Sequence, residues 1–202
     1  MADQEAEELR EAVPALLAWP EPVGVPDEAV DRRAAVTIVL SPAPDVISRV
    51  EALFIQRAEL ERDPWSGHIA FPGGRVELDD ADLLRTAQRE LEEETGLVIA
   101  RNDYLGRLDD LHPRSQHLPS IAVTPFVAWL EPRVCVQESG ELAGHYWVPL
   151  SDLASPALRS SFQRNAPIPR RFETMEVAGI TVWGMTLTIL DNFLDRISAG
   201  AR

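Results

Sequence analysis

The chain has a single cysteine, Cys135, in 202 residues, which excludes an intramolecular disulfide and any cysteine-rich metal centre. Cys135 lies in Val134-Cys135-Val136, a segment that reads as strand, and is expected there to be a small packed residue. Nothing in that count calls for an oxidising compartment. Basic residues are scarce: 19 Lys and Arg against 33 Asp and Glu give a formal net charge of −14. Non-specific binding to nucleic acid or to an acidic membrane needs clustered cations, so both partners are excluded on charge. Long apolar runs are also missing, none approaching the roughly 18 residues of a membrane helix. The first residues, Met1 to Glu8, show no basic segment followed by an apolar one, so they do not read as a secretory signal. These absences together lead to the expectation of a cytoplasmic protein.

What is present is an ordinary globular composition, 45% hydrophobic and 26% charged, at a length that buries one sizeable core. Leu9, Val13, Leu16 and Leu17 fall at helical intervals, and Pro20, Pro22 and Pro26 then interrupt any regular structure. Residues 1–30 are therefore read as an N-terminal helix and Pro-rich linker, usable as a homodimer contact or a lid, and 31–202 as the main domain. Strands are expected at 34–40, 50–57, 97–108, 120–130, 133–137 and 143–148, with a hairpin over 173–183. Helices are expected from about Asp80 to Thr95 and from Met185 to Ile197. This mixture is an α/β class.

The densest chemistry lies between Gly67 and Leu97. Glu90, Glu93 and Glu94 stand at relative positions i, i+3 and i+4, one patch of a helix whose neighbouring stripe is Leu83, Leu84, Ala87 and Leu91. Three like charges within a turn repel, and a divalent cation removes that penalty. Hard carboxylate oxygens suit Mg²⁺ or Mn²⁺, which are commonly shared with substrate phosphates. Asp79, Asp80 and Asp82 suit the helix start as caps, and Gly96 suits its end.

Gly74, five residues, Asp80, eight residues, then Arg89-Glu90-Leu91-x-Glu93-Glu94-x-Gly96-Leu97 closely resembles the Nudix box. The family pattern has Glu where Asp80 stands and seven residues, not eight, before the Arg-Glu pair. The second half matches in full. The resemblance implies a Nudix-type mixed β-sheet sandwiched between helices and metal-dependent hydrolysis of a phosphoanhydride bond. It assigns metal binding to Glu90, Glu93 and Glu94 with the backbone carbonyl of Gly74, and the acceptance of a water proton to Glu93, Glu94 or a later carboxylate, for which Glu141 is the candidate. Arg89 is expected to orient Glu93, four residues on. Arg57, Arg62 and Arg75 flank the glycine turn and are expected to clamp substrate phosphates. His112 and His117 bracket a loop that could meet a base or leaving group, and His68 is expected to be structural.

Phe54-Ile55-Gln56-Arg57-Ala58-Glu59-Leu60-Glu61-Arg62 followed by Gly67-His68-Ile69-Ala70-Phe71-Pro72-Gly73-Gly74 resembles the coenzyme A pyrophosphatase branch of that family. The branch's leading Leu-Leu-Thr is absent, and four residues rather than three separate Arg62 from Gly67. Leu105 to Asp110, Val123 to Val127 and Trp183 to Thr186 also look familial. The branch implies cleavage of coenzyme A or its thioesters to 3′,5′-ADP and a 4′-phosphopantetheine product. Other nucleotides, such as ADP-ribose or dinucleoside polyphosphates, and a non-catalytic nucleotide-binding domain are the alternatives.

Overall fold

The computed structural model describes residues 2–18, 20–44, 49–59, 66–113, 120–164 and 170–199. Its frame is set by β1 (Arg32–Pro42), whose residues from Ala34 to Ser41 are buried with the single exception of Val36. A strand covered on both faces reads as a continuous apolar run. The same holds for β6 (Ile121–Trp129), which pairs with β1 in parallel from Arg32↔Ile121 to Leu40↔Trp129. The opposite edge of β1 is shared. β4 (Gly73–Arg75) takes Ala34 to Val36, and β2 (Val50–Arg57) takes Leu40 to Pro42, both antiparallel.

β2 in turn carries β7 (Leu142–Pro149) along one edge and β3 (Ile69–Ala70) on the other. With β5 (Tyr104–Arg107) beside β6, this makes a seven-stranded mixed sheet that divides into two wings where β2 leaves β1. Alternation then sorts the side chains. Val39 and Leu53 point to one face, where they meet Leu91 of α2 (Leu83–Thr95) together with Leu97 and Ile99. Ile38, Leu40 and Phe54 point to the other, where they meet α1 (Ala2–Ala18), α4 (Gly184–Ala199) and a second, three-stranded antiparallel sheet. That sheet is β8 (Arg159–Arg164), β9 (Arg170–Val177) and β10 (Ile180–Trp183). A one-turn helix, α3 (Leu150–Leu153), follows β7. The mixed sheet thus lies between helices, as expected.

Four expectations need correction. Of 97–108 only β5 is strand: Leu97 and Ile99 alternate into the core while Val98 is 72% exposed, but they lack a neighbouring strand and a 3-10 turn follows at Arg101–Asp103. Residues 133–137 are likewise unladdered, and Cys135 is exposed, not packed. Val134 and Cys135 are both exposed and only Val136 is drawn inward, in a loop whose Gln137 N–H donates to the Thr95 carbonyl at 2.8 Å. Helix α2 begins at Leu83, not Asp80. β8 had no counterpart in the sequence reading. No helix among the described residues is long and apolar enough to cross a membrane.

The N-terminal helix is built into the main core through Ala6, Val13 and Leu17, all nearly inaccessible. The Pro-rich segment after it is strapped down by charged groups. The Val23 N–H donates to Asp109 Oδ1 at 2.7 Å and the Val25 N–H to Asp110 Oδ2 at 2.8 Å. Arg107 reaches the Pro22 carbonyl, and Arg196 reaches the carbonyls of Leu17 and Pro20 as well as Asp109. The Asp110 carboxylate, 2% exposed, also accepts from Arg33, Arg107 and the Thr124 hydroxyl. Removing one partner of a buried charge leaves the others uncompensated. Asp110→Asn is accordingly expected to lower stability by about 3 kcal/mol in urea denaturation and to open residues 20–26 to limited proteolysis.

Candidate active site

Helix α2 is held at both ends by its own sequence. The Asp82 carboxylate accepts from the Arg85 N–H at 2.8 Å, and Gly96, in the left-handed region at φ 68°, closes the last turn on the Glu92 carbonyl. Thr86, Ala87, Leu91 and Thr95 are buried against the sheet. Glu90 and Glu94 flank that buried stripe and face β4, whereas Glu93 lies outside it with its side chain 58% exposed.

Asp80 is not part of the cap. Its carboxylate, 3% exposed, takes a two-pronged grip from Arg89, with Nε to Oδ1 at 3.1 Å and Nη2 to Oδ2 at 3.0 Å. It also accepts from the Glu77 N–H and the Thr86 hydroxyl, both at 2.9 Å. The Arg89 hydrogen bond leads in holding its pKa down to about 2. With a side chain one methylene shorter and a loop one residue longer than the family pattern, the Asp80 carboxylate meets Arg89 in this bidentate grip. The rest of the guanidinium is fully used. It donates to the Arg75 carbonyl at 2.9 Å, Glu90 Oε1 at 3.0 Å and Glu93 Oε2 at 3.1 Å. Arg89 thus orients Glu93, as the sequence suggested, and Glu90 as well.

The two glycines of the turn meet different neighbours: backbone at Gly73, a carboxylate at Gly74. Gly73 has φ 154°, and a Cβ on it would lie 2.3 Å from the Ala35 carbonyl oxygen. A Cβ on Gly74 would lie 2.3–2.4 Å from the Glu90 carboxyl group, so that carboxylate rests directly on the backbone. One step along the strand, the Gly73 N–H donates to Glu94 Oε2 at 2.9 Å. On its other side Glu94 Oε1 is 3.8 Å from the Arg57 guanidinium. Burial pushes the Glu94 carboxyl up to about 7, against the Gly73 N–H and Arg57, while Glu90 and Glu141 add like charge. Burial also raises Glu90, opposed by Arg89.

Glu141 is brought to this group by the loop before β7. The Ser139 N–H donates to the Glu94 carbonyl, and the Ala58 N–H, next to Arg57, donates to the Glu141 carbonyl at 2.8 Å. Arg75 is exposed in β4, linked to the site through its carbonyl. Arg62 and His117 lie outside the described residues. His112 sits near the Ser120 hydroxyl, 3.4 Å away, in the segment that leads into the start of β6. Sequence reasoning passed over His145, whose Nδ1 is 2.6 Å from Glu138. Its signal was register: His145 pairs with Ile55, two residues from Arg57, on the α2 side of the sheet.

Among the described residues no three acidic or imidazole side chains already converge as a metal cage. The donors are nonetheless suited to a hard cation. Glu90 and Glu94 are two carboxylates withdrawn from water on either side of a glycine backbone, and burial raises the pKa of each; such oxygen donors suit a hard cation.

A family model described as the NUDIX domain matches residues 31–172. The chain is 30% identical over 174 residues to an uncharacterized Nudix hydrolase, NudL, of Yersinia pestis, a match spanning 84% of this chain and 82% of that one. It is 36% identical over 117 residues to the uncharacterized protein C14C4.10c of Schizosaccharomyces pombe, spanning 55% of this chain and 35% of the longer relative. Among solved structures it is similar to a MutT/nudix family protein from Enterococcus faecalis, with TM-score 0.55 and 16% identity over 97% of this chain and 73% of that one. A MutT protein from Methanosarcina mazei gives TM-score 0.53 and 17% identity over 90% and 98% of the two chains. At those identities the structural likeness speaks for the fold.

Asp80→Asn removes the charge that anchors Arg89 and is expected to cost about 3 kcal/mol at pH 7. A depressed carboxylate pKa stabilises the fold above its ordinary value of 3.8, and that contribution is lost as pH falls toward 2. The gap between the two proteins in urea denaturation should therefore narrow over that acid range.

Proposed function

The chain belongs to the Nudix domain family, and from that premise we propose that it is a metal-dependent hydrolase of a phosphoanhydride bond in a nucleoside diphosphate derivative, with coenzyme A or its thioesters as substrate. The observation that carries the chemistry is the pair of desolvated carboxylates, Glu90 against Gly74 and Glu94 on the Gly73 N–H. Mg²⁺ or Mn²⁺ would be held by Glu90, Glu93 and Glu94 with the Gly74 carbonyl; when bound, it polarises the diphosphate and acidifies a water molecule.

The remaining steps belong to the chain's own groups. The water oxygen adds to phosphorus, the bridging P–O bond breaks, and the water proton passes to a carboxylate. Glu94 and Glu93 on the helix and Glu141 on the facing loop are the acceptors proposed. Arg57 supplies positive charge beside Glu94 and is proposed as a phosphate contact. Arg62 and Arg75 are proposed as further phosphate contacts from their position around the glycine turn. The coenzyme A assignment is supported by the residues from Phe54 to Gly74 that resemble that branch, and the retention of all three glutamates favours turnover over binding alone.

With Mg²⁺ or Mn²⁺ the protein is expected to cleave coenzyme A to 3′,5′-ADP and 4′-phosphopantetheine, and Glu94→Gln to lower kcat by about 10²–10⁴-fold. Product analysis across coenzyme A, ADP-ribose and dinucleoside polyphosphates checks it. Preference for one of the latter would discard coenzyme A, and no metal-dependent turnover on any would discard hydrolysis.

Glu94 also yields a stability prediction for metal-free protein. Its folded pKa of about 7 exceeds the ordinary 4.5, so the fold binds the extra proton and stability falls as pH rises between those values. Glu94→Gln, which cannot ionise, should melt higher than the parent at pH 8 and similarly at pH 4.5. Added Mg²⁺ should raise the melting temperature of the parent more than that of Glu94→Gln.

A further inference from the structure

In the three-stranded sheet, alternation sends Met175, Val177, Ile180 and Val182 into the core. The opposite face should then be polar, and at one end it is: the Thr181 hydroxyl donates to Glu176 at 2.8 Å. At the other end it carries three aromatics. Phe162 and Phe172 are register partners on neighbouring strands and stack at 5.4 Å between centroids with 23° between planes. Both meet Trp183 edge-on, at 5.4 and 5.8 Å. Phe162 keeps 38% of its surface exposed.

This group adjoins the carboxylate site. Trp183 lies edge-on to His68 at 4.7 Å, and the His68 carbonyl accepts from the Arg57 N–H at 3.1 Å. Arg57 in turn faces Glu94 at 3.8 Å. Ala70 pairs with Ile55, so His68, two residues earlier, falls on the same side of the sheet as Arg57. The aromatic rings, the His68 imidazole, Arg57 and Glu94 thus follow one another through neighbouring residues, the aromatic group at one end and the carboxylates at the other. At roughly 3.3 Å per residue the stretch from His68 to Gly73 spans at most about 17 Å.

We propose that Phe162 and Trp183, braced by Phe172, form the stacking platform for the planar base of a nucleotide whose diphosphate lies at Glu90 and Glu94. The proposal rests on the hydrolase reading for its substrate. A π-face accepts any base and gains by stacking without hydrogen-bond readout; Phe162 keeps 38% of its surface open on the side of the sheet turned away from the core.

The test uses the full chain with Mg²⁺ and two uncleavable probes, adenosine 5′-(α,β-methylene)diphosphate and the base-free methylenediphosphonate, titrated by calorimetry. Phe162→Leu keeps apolar cover and removes the ring; it is expected to weaken the nucleotide probe by about tenfold and to leave the base-free probe unaffected. Phe162→Tyr should restore binding, and Trp183→Leu should repeat the loss. Thermal melts confirm that each variant is folded, and Phe162→Leu suffices if Trp183→Leu is not. Equal nucleotide affinity in parent and Phe162→Leu would overturn the platform, as would failure of the parent to bind the nucleotide probe. Because binding is read without turnover, loss of the nucleotide probe in a protein that hydrolyses nothing would uphold the platform while sinking the hydrolase reading.

Discussion

The grip of Arg89 on Asp80 is the contact on which the site's geometry depends. A guanidinium offers five donors in a fixed plane, and here two go to Asp80 while the others reach Glu90, Glu93 and the carbonyl of Arg75 in β4. One side chain therefore fixes the loop before α2, the helix and the glycine strand relative to one another. Without it, two acidic side chains on a helix would spread into solvent, because exposed like charges separate. Held by it, Glu90 stays pressed on Gly74 and the neighbouring turn presents Glu94 to Gly73.

The same device recurs away from the site. All 19 Lys and Arg positions are arginine, and several of the partly buried ones bridge more than one acceptor. Arg133 joins Glu51 and both the hydroxyl and carbonyl of Ser41 while lying 4.1 Å over the Trp147 ring. Arg196 ties the Pro-rich segment to the end of the core. In a chain this acidic, planar cations that satisfy several oxygens at once hold together segments that have no ladder of their own.

Much of this was legible beforehand. Continuous apolar runs gave β1, β2 and β6, and the helical spacing of Leu83, Ala87 and Leu91 gave α2 and its glutamates. The misses have physical causes. Val134–Val136 is an apolar run and Leu97–Ile99 alternates in burial as a strand does, but a strand also needs a neighbour, and neither segment has one. β8 was invisible because Arg159–Arg164 is largely polar and owes its conformation to β9. Asp80 looked like helix punctuation, since the pairing that gives it its part arises nine residues on, across a loop. The packing of α1 rests on β5 and α4, distant in sequence, so spacing could show the helix and not its seat.

The way β1 is paired bears on how the chain comes into being. Its partners are β2, β4 and, along its whole length, β6, which ends at Trp129. A chain emerging from the ribosome has made its central strand long before it has made the edge that covers it. Local contacts cannot close this sheet early, and pairing across such a separation is slow. Until β6 has emerged, Ala34 to Ser41 is an open, apolar strand edge of the kind that invites intermolecular pairing. The order in which the segments are synthesised thus makes the interval between the emergence of β1 and that of β6 the one in which this sheet is most exposed to aggregation.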